Sequence, residues 1–163
     1  MREILFRGKR VDDGKWWYGL PCRTLNKDGE DVLNIQCWER DEEGVTGIYD
    51  PVDPETIGQY TGLTDKNGTR IFEGDIIHFK AYQGGGFDCP IGTDIYYRVL
   101  FGHCNPDMNT LSEYVGFWAL GENYDEDDLY EYGNSISYLV NSHGACVIGN
   151  IHDNPELLKE REG

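Results

Sequence analysis

Hydrophobic and polar residues alternate along much of this chain in a way that predicts short β-strands. The clearest case is 32–38, where Asn34, Gln36 and Trp38 alternate with Leu33 and Ile35. A period of two is typical of a strand with one buried face. The same criterion, together with enrichment in β-branched and aromatic residues, predicts further strands at 3–6, 15–20, 57–60, 76–80, 95–101, 115–120, 135–140 and 146–151.

The segments between these strands favour an all-β fold. Turns are predicted at 11–14, 26–29, 65–68 and 73–75, each with a glycine, and the polar segment 41–54 and the glycine-rich segment 82–92 are predicted to be connections. No helical crossover of the length that a βαβ unit requires is visible. We therefore predict a small barrel-like sheet or a sandwich with one or two short helices, one near Pro106 and one that Asn154 and Pro155 begin.

The length of 163 residues predicts a single domain over 1–163. An N-terminal β subdomain at 1–55 and an insertion at about 81–133 are compatible with this prediction.

Charge narrows the function classes. The chain has 14 Lys and Arg against 30 Asp and Glu, a formal net charge of −16, which disfavours direct binding to nucleic acid. One interpretation is a protein whose charge keeps it dispersed in solution, and the alternative is a protein that imitates the charge of DNA. No apolar run is long enough for a membrane span, and the N-terminus lacks the apolar core of a signal peptide. We expect the protein in the cytoplasm.

Three blocks carry a resemblance to a known family. They are MREILFRGKR at 1–10, TIGQYTGLTDKNGTRIFEGDII at 56–77 and VIGNIHDNPELL at 147–158. Together they resemble the YopX family of phage and prophage proteins. This resemblance implies a β-rich pseudobarrel fold and a phage setting, and it supplies no catalytic residues.

We therefore expect a phage or prophage accessory protein that is not an enzyme and acts through protein contacts. Exposed strand edges and many aromatic residues suggest a homo-oligomer, and a host or phage protein is a further possible partner. The alternative is an acidic DNA mimic that inhibits a host DNA-binding protein or nuclease. A metal- or thiol-dependent enzyme is a third, weaker hypothesis.

Two histidines and two cysteines in the second half of the chain are candidates for metal or thiol chemistry. His103, Cys104, His143 and Cys146 include the residue types of a tetrahedral zinc site, but their spacing matches no standard zinc motif, and core cysteines with surface or strand-end histidines explain them better. Cys104 or Cys146 could be a nucleophile if a histidine lay within hydrogen-bonding distance. The five cysteines are odd in number and scattered, which fits reduced thiols.

Three further segments could carry chemistry, and each has a structural explanation. Glu73 and Asp75 could act as paired carboxylates, but a role in capping the turn explains them better. The glycines at 84–86 lack the context of a phosphate-binding loop. The acidic run 125–128, with Tyr124, Tyr130 and Tyr132 beside it, is either a partner-binding surface or a solvated loop. We assign no catalytic, cofactor-binding or metal-binding residue from the sequence.

Overall fold

The computed structural model describes residues 3–42, 44–81, 90–104, 114–121, 124–128 and 133–158. Within these ranges the strands are β1 (Phe6–Lys9), β2 (Trp16–Leu25), β3 (Asp31–Asp41), β4 (Gly44–Pro51), β5 (Gly58–Thr64), β6 (Arg70–Phe72), β7 (Asp75–Lys80), β8 (Asp94–Cys104), β9 (Tyr114–Gly121), β10 (Asn134–Ser135) and β11 (Cys146–Asn150). Helix α1 spans Ile136–His143, and short 3-10 helices span Pro54–Thr56, Glu126–Asp128 and Pro155–Leu158.

The chain divides into two compact units, Met1–Gly62 and Leu63–Gly163. In the first unit, β4, β3, β2, β1 and β5 follow one another as antiparallel neighbours. Ile35 is fully buried against one face of this sheet.

Two glycines permit close packing on the Ile35 side of the sheet. A Cβ on Gly8 would lie 3.2 Å from Ile35 Cδ1 and from Val52 Cβ. A Cβ on Gly19 would lie 2.0 Å from the carbonyl oxygen of Gln36. Only a residue without a side chain fits at Gly19, because that contact is with backbone that cannot rotate away.

In the second unit, a five-stranded antiparallel sheet runs in the order β10, β9, β8, β7, β11. Its core is a cluster of buried side chains from one face of the sheet, from α1 and the segment after it, and from β6. The cluster consists of Ile71, Ile77, Phe79, Val99, Ala119, Ile136, Leu139 and Ala145. Ser135 caps the start of α1, and Gly144 ends it in the left-handed conformation with φ of 63°.

Two buried carboxylates hold the turns of the second unit. Asp65 accepts hydrogen bonds from the backbone N–H groups of Asn67, Thr69 and Val147. Asp75, 1% exposed, accepts one from Phe72 N at 2.7 Å. Burial of a carboxylate is costly unless its oxygens are hydrogen-bonded, and backbone N–H groups meet that need here.

The all-β prediction is confirmed, since the described residues form two antiparallel sheets and one short α-helix. The described sheets are not closed into a barrel, however, which corrects the barrel-like part of the prediction. The short helix expected after Asn154 is present as the 3-10 helix Pro155–Leu158. The helical turn expected near Pro106 lies outside the described residues.

Two predicted elements were wrong. The segment 135–140, predicted as a strand, contains most of α1, because Ile136, Leu139 and Val140 follow the helical spacing that buries one side of a helix. The segment 41–54, predicted as a connection, contains the strand β4, which pairs with β3 along its whole length. No helix in the described part of the chain is long and apolar enough to cross a membrane.

Candidate interaction surface

The register of the first unit's sheet gathers aromatic side chains on one face. Leu20 lies opposite Gln36, and Gln36 lies opposite Tyr49 on the next strand. Because residues two apart on a strand share a face, Tyr18 and Trp38 lie on this side as well. We call this side of the sheet the aromatic face, defined by Tyr18, Leu20, Gln36, Trp38, Val45 and Tyr49.

The aromatic face is open to solvent. Trp38 is 64% exposed and Tyr49 50% exposed, and Tyr18, Leu20 and Val45 also have about half of their surface accessible. Single exposed apolar residues are common on protein surfaces, but five that adjoin on one sheet face form a contiguous patch, which indicates a binding surface.

The aromatic face carries no carboxylate. Asp and Glu are absent from every position of this face in β1 to β4, whereas Asp31, Glu39 and Asp50 lie on the opposite face. The charged residues on this side of the strands are Arg7, which is buried, and Lys9 and Arg40. In a chain with a net charge of −16, this exposed apolar surface is thus free of acidic residues.

Local contacts hold the aromatic side chains in place. The side-chain amide of Gln36 donates to the Tyr49 hydroxyl at 3.0 Å. A Cβ on Gly47 would lie 3.3 Å from the Trp38 ring and 3.5 Å from the Tyr49 ring, so both rings lean over this glycine. At the other end of the sheet the Arg7 guanidinium lies 4.4 Å from the centre of the Trp16 ring. Side chains that are already ordered lose less entropy when a partner binds.

Strand β4 borders the aromatic face and lies at the edge of its sheet, since its neighbour among the described strands is β3 alone. The eight residues Gly44–Pro51 contain one charged residue, Asp50. Native edge strands are commonly protected by charges or bulges because their backbone groups can pair with another chain. β4 has little such protection.

The four residues considered for zinc are not shown to form one group. The His143 ring lies at the end of α1 against the Phe79 and Tyr138 rings, with centroids at 5.2 and 5.0 Å. Burial lowers the pKa of His143 below its ordinary value. His103 and Cys104 end strand β8, and their side chains are not among those described. Among the described residues, no group of three or more His, Cys, Asp or Glu is arranged to hold a metal ion.

The other candidates have structural roles or lie outside the described residues. Glu73 and Asp75 flank the turn at Gly74, with φ of 80°, and Asp75 accepts from Phe72 as the turn interpretation predicted. The glycines at 84–86 lie outside the described residues, as do Tyr130 and Tyr132. The acidic run begins with an exposed 3-10 turn in which Asp125 accepts from Asp127 N. The DNA-mimic hypothesis stays a prediction.

Sequence reasoning missed the aromatic face as a unit. The alternation in 32–38 already placed Trp38 on the polar face with Gln36, and a tryptophan among polar residues was the available signal. Its neighbours Tyr49 and Val45 lie in the segment that was predicted to be a connection, so their position beside Trp38 could not be derived.

Comparison with known proteins gives a family match and a structural likeness. The family described as YopX protein matches residues 5–159 of this chain. The crystal structure of protein EF1440 from Enterococcus faecalis aligns with 98% of this chain and 100% of its own, at 20% sequence identity and a TM-score of 0.50. At that identity the likeness concerns the fold alone. No curated protein matches this chain.

Proposed function

Because this chain belongs to the YopX protein family, we propose that it is an accessory protein of a phage or prophage that acts through protein contacts and not by catalysis. The bacterial cytoplasm is its proposed location. The observation that carries the proposal is the aromatic face, and the occupant that we propose for this face is a second copy of the chain.

The composition of the aromatic face supports a protein partner. Tyrosine, tryptophan and arginine are enriched at protein interfaces, and Asp, Glu and Lys are depleted in interface cores. Trp38, Tyr49 and Tyr18 are of the enriched types, and no Asp or Glu lies among them. A surface for nucleic acid would need a larger cluster of Lys and Arg than Arg40 and Lys9 provide.

The charge of the whole chain supports a second copy as the occupant. Two copies with a net charge of −16 each repel one another, and this repulsion is reduced when they meet at a surface that is free of carboxylates. In a two-fold interface the same patch meets itself. The aromatic face satisfies this condition, because like-charge carboxylate contacts cannot arise there.

The edge strand supports the same arrangement. β4 offers backbone groups along Gly44–Pro51 beside the exposed rings of Trp38 and Tyr49. Two antiparallel copies of this edge would extend the sheet, and the border of each aromatic face at Tyr49 would then contact the same border of the second copy.

Light scattering coupled to size exclusion tests the proposal. We expect a mass of at least two chains at about 50 µM, and a monomer for Trp38→Glu, which places a carboxylate in the aromatic face. The matched control is Leu25→Glu, because Leu25 is 68% exposed but lies on the opposite face of β2. A monomeric parent protein, or an equal loss of mass in both variants, would overturn the proposed occupant.

A further inference from the structure

The backbone of β4 alternates between groups that bond to β3 and groups that point away from it. Val52 follows β4 and continues its register, and its N–H donates to the carbonyl oxygen of Leu33 at 3.0 Å. In an antiparallel pair, directly opposite residues that share such bonds alternate with residues whose backbone groups face outward. The outward-facing residues in this register are therefore the odd-numbered ones, Val45, Gly47, Tyr49 and Pro51.

The part of this edge that can pair with another strand is short and bounded at both ends. The Pro51 carbonyl oxygen accepts from Val11 N at 3.0 Å, and proline has no N–H, so pairing stops before Pro51. At the other end, β4 begins at Gly44. Within the described part of the chain, no strand pairs with β4 on this outer side. Three outward-facing residues remain for a partner strand: Val45, Gly47 and Tyr49.

One antiparallel register pairs all three of these residues with those of a second copy. It places Gly47 on the two-fold axis, opposite Gly47 of the second copy, and Val45 opposite Tyr49 of the second copy. Each opposite pair exchanges two N–H···O bonds, so this register forms about six backbone hydrogen bonds. An axis at Thr46 or Ile48 forms fewer, because one outward-facing residue then lies opposite Pro51 or opposite the residue before β4.

The side chains of the aromatic face fit this register. The rings of Trp38 and Tyr49 lean over Gly47, where a Cβ would lie 3.3 and 3.5 Å from them. Because neither copy has a side chain at the axis, the two Trp38 rings can approach each other above the paired glycines. In the next row, the Val45 side chain contacts the Tyr49 ring of the second copy, a β-branched and aromatic cross-strand pair of the stabilising kind.

The register also keeps like charges apart. Asp50 is the one charged residue of β4, and its side chain lies on the face opposite to the aromatic face. With the axis at Gly47, the position opposite Asp50 is Gly44 of the second copy. An axis at Asp50 would instead bring two carboxylates directly opposite each other, which is destabilising.

We propose that two copies pair through β4 with the two-fold axis at Gly47, which joins their first-unit sheets into one continuous sheet. This position of the axis rests on the proposed function, because it specifies how the two copies of the proposed dimer pair. It assigns Val45 of each copy to the Tyr49 ring of the other, and it gives the glycine inside β4 a role that no contact within one copy requires.

Disulfide cross-linking locates the axis, because only a residue on a two-fold axis faces its own equivalent. With the axis at Gly47, the Cα atoms of the two Gly47 residues lie about 5.5 Å apart, within the range of a disulfide. The two Thr46 residues, or the two Ile48 residues, lie about 8 Å apart, which exceeds that range. Under mild oxidation, Gly47→Cys should give at least about five-fold more cross-linked dimer than Thr46→Cys or Ile48→Cys.

A mixture of Val45→Cys and Tyr49→Cys tests the same register without a new side chain at Gly47. Residue 45 of one copy lies opposite residue 49 of the other, so the mixture should form a 45–49 disulfide and neither variant alone should link at its new cysteine. Peptide mass spectrometry identifies the linked positions and separates them from the native cysteines. If Gly47→Cys loses the dimer, the mixture decides the register.

Light scattering of the unaltered protein separates this inference from the proposed function. A monomeric parent would overturn both. A dimeric parent would overturn the register alone if cross-linking were strongest at Thr46→Cys or Ile48→Cys, or if the mixture of Val45→Cys and Tyr49→Cys formed no 45–49 disulfide.

Discussion

Replacement of Asp65 by asparagine tests how one carboxylate joins the turn after β5 to the distant strand β11. Oδ1 accepts from the N–H groups of Asn67 and Thr69 at 2.8 and 2.9 Å, and Oδ2 accepts from Val147 N at 3.1 Å. Asp65 is 5% exposed, so solvent cannot replace these bonds without a change in the turn. Asparagine has nearly the same shape but only one side-chain oxygen.

The expected loss follows from these contacts. If the asparagine oxygen keeps the hydrogen bonds from Asn67 and Thr69, its NH₂ group faces the backbone N–H of Val147. Both of these groups are hydrogen-bond donors, so no hydrogen bond forms between them. One hydrogen bond to a charged acceptor is lost, which costs about 1.5–3 kcal/mol. We expect the free energy of unfolding of the second unit to fall by about 2–3 kcal/mol.

Urea unfolding at neutral pH measures this loss, and hydrogen exchange locates it, since the amide of Val147 should exchange faster in the variant. The matched control is Asp53→Asn. Asp53 is exposed and accepts from Glu55 N at 3.0 Å at the start of a 3-10 helix, a position where Asn and Asp cap equally well. A loss of less than about 0.5 kcal/mol in the free energy of unfolding of Asp65→Asn would refute this prediction.

Acid should reduce the difference between the parent and Asp65→Asn. Burial alone would raise the pKa of Asp65, but hydrogen bonds from Thr69, Val147 and Asn67 lower it overall. The unfolded chain therefore binds this proton more readily than the folded chain does. The stability from Asp65 is present above the ordinary aspartate pKa of about 3.9 and is lost as the pH falls through the lower, folded value.

Two further predictions concern other positions. Gly19→Ala should destabilise the first unit by about 1–3 kcal/mol in urea unfolding, because the new Cβ would meet the Gln36 carbonyl. Gly116→Ala is the control and should have little effect, since its Cβ would have no atom nearer than 3.9 Å. Equal losses in the two variants would contradict the prediction. Since burial lowers the pKa of His143, the melting temperature should fall as the pH drops below about 6.5. His143→Gln should make this fall with pH less steep. Parallel pH profiles of the parent and the variant would exclude a contribution from His143.

The sequence predicted the strand segments of this fold better than the α-helix α1. Turns with glycine at Gly68 and Gly74 formed where expected, since both adopt positive φ. The helix α1 was predicted as a strand because its residues include β-branched and aromatic types that favour strands. Ser135 as a cap and Gly144 as a left-handed end were local signals for the helix, and its burial against the core outweighed strand propensity.

The candidate surfaces could be predicted only in part, because they depend on strand register. Trp38 was assigned to the polar side of its strand from the sequence alone. Its position near Tyr49 required the pairing of β3 with β4, and the position of Cys146 opposite His78 required the pairing of β11 with β7. Pairing of strands as far apart in the sequence as β7 and β11 is set by the tertiary fold, and short-range patterns do not contain it. The pairing of β3 with β4 is a local hairpin, which was missed because 41–54 was predicted to be a connection.

Hydrogen exchange of the β4 amides at two protein concentrations tests the central claim most directly, that a second copy occupies the aromatic face and its edge strand. We expect the backbone amides of Gly44–Tyr49 that point away from β3 to exchange slowly at about 100 µM and markedly faster at about 1 µM, where copies separate. Amides of β7, inside the second unit's sheet, should exchange equally at both concentrations. Protection of β4 that does not change with concentration would contradict the account.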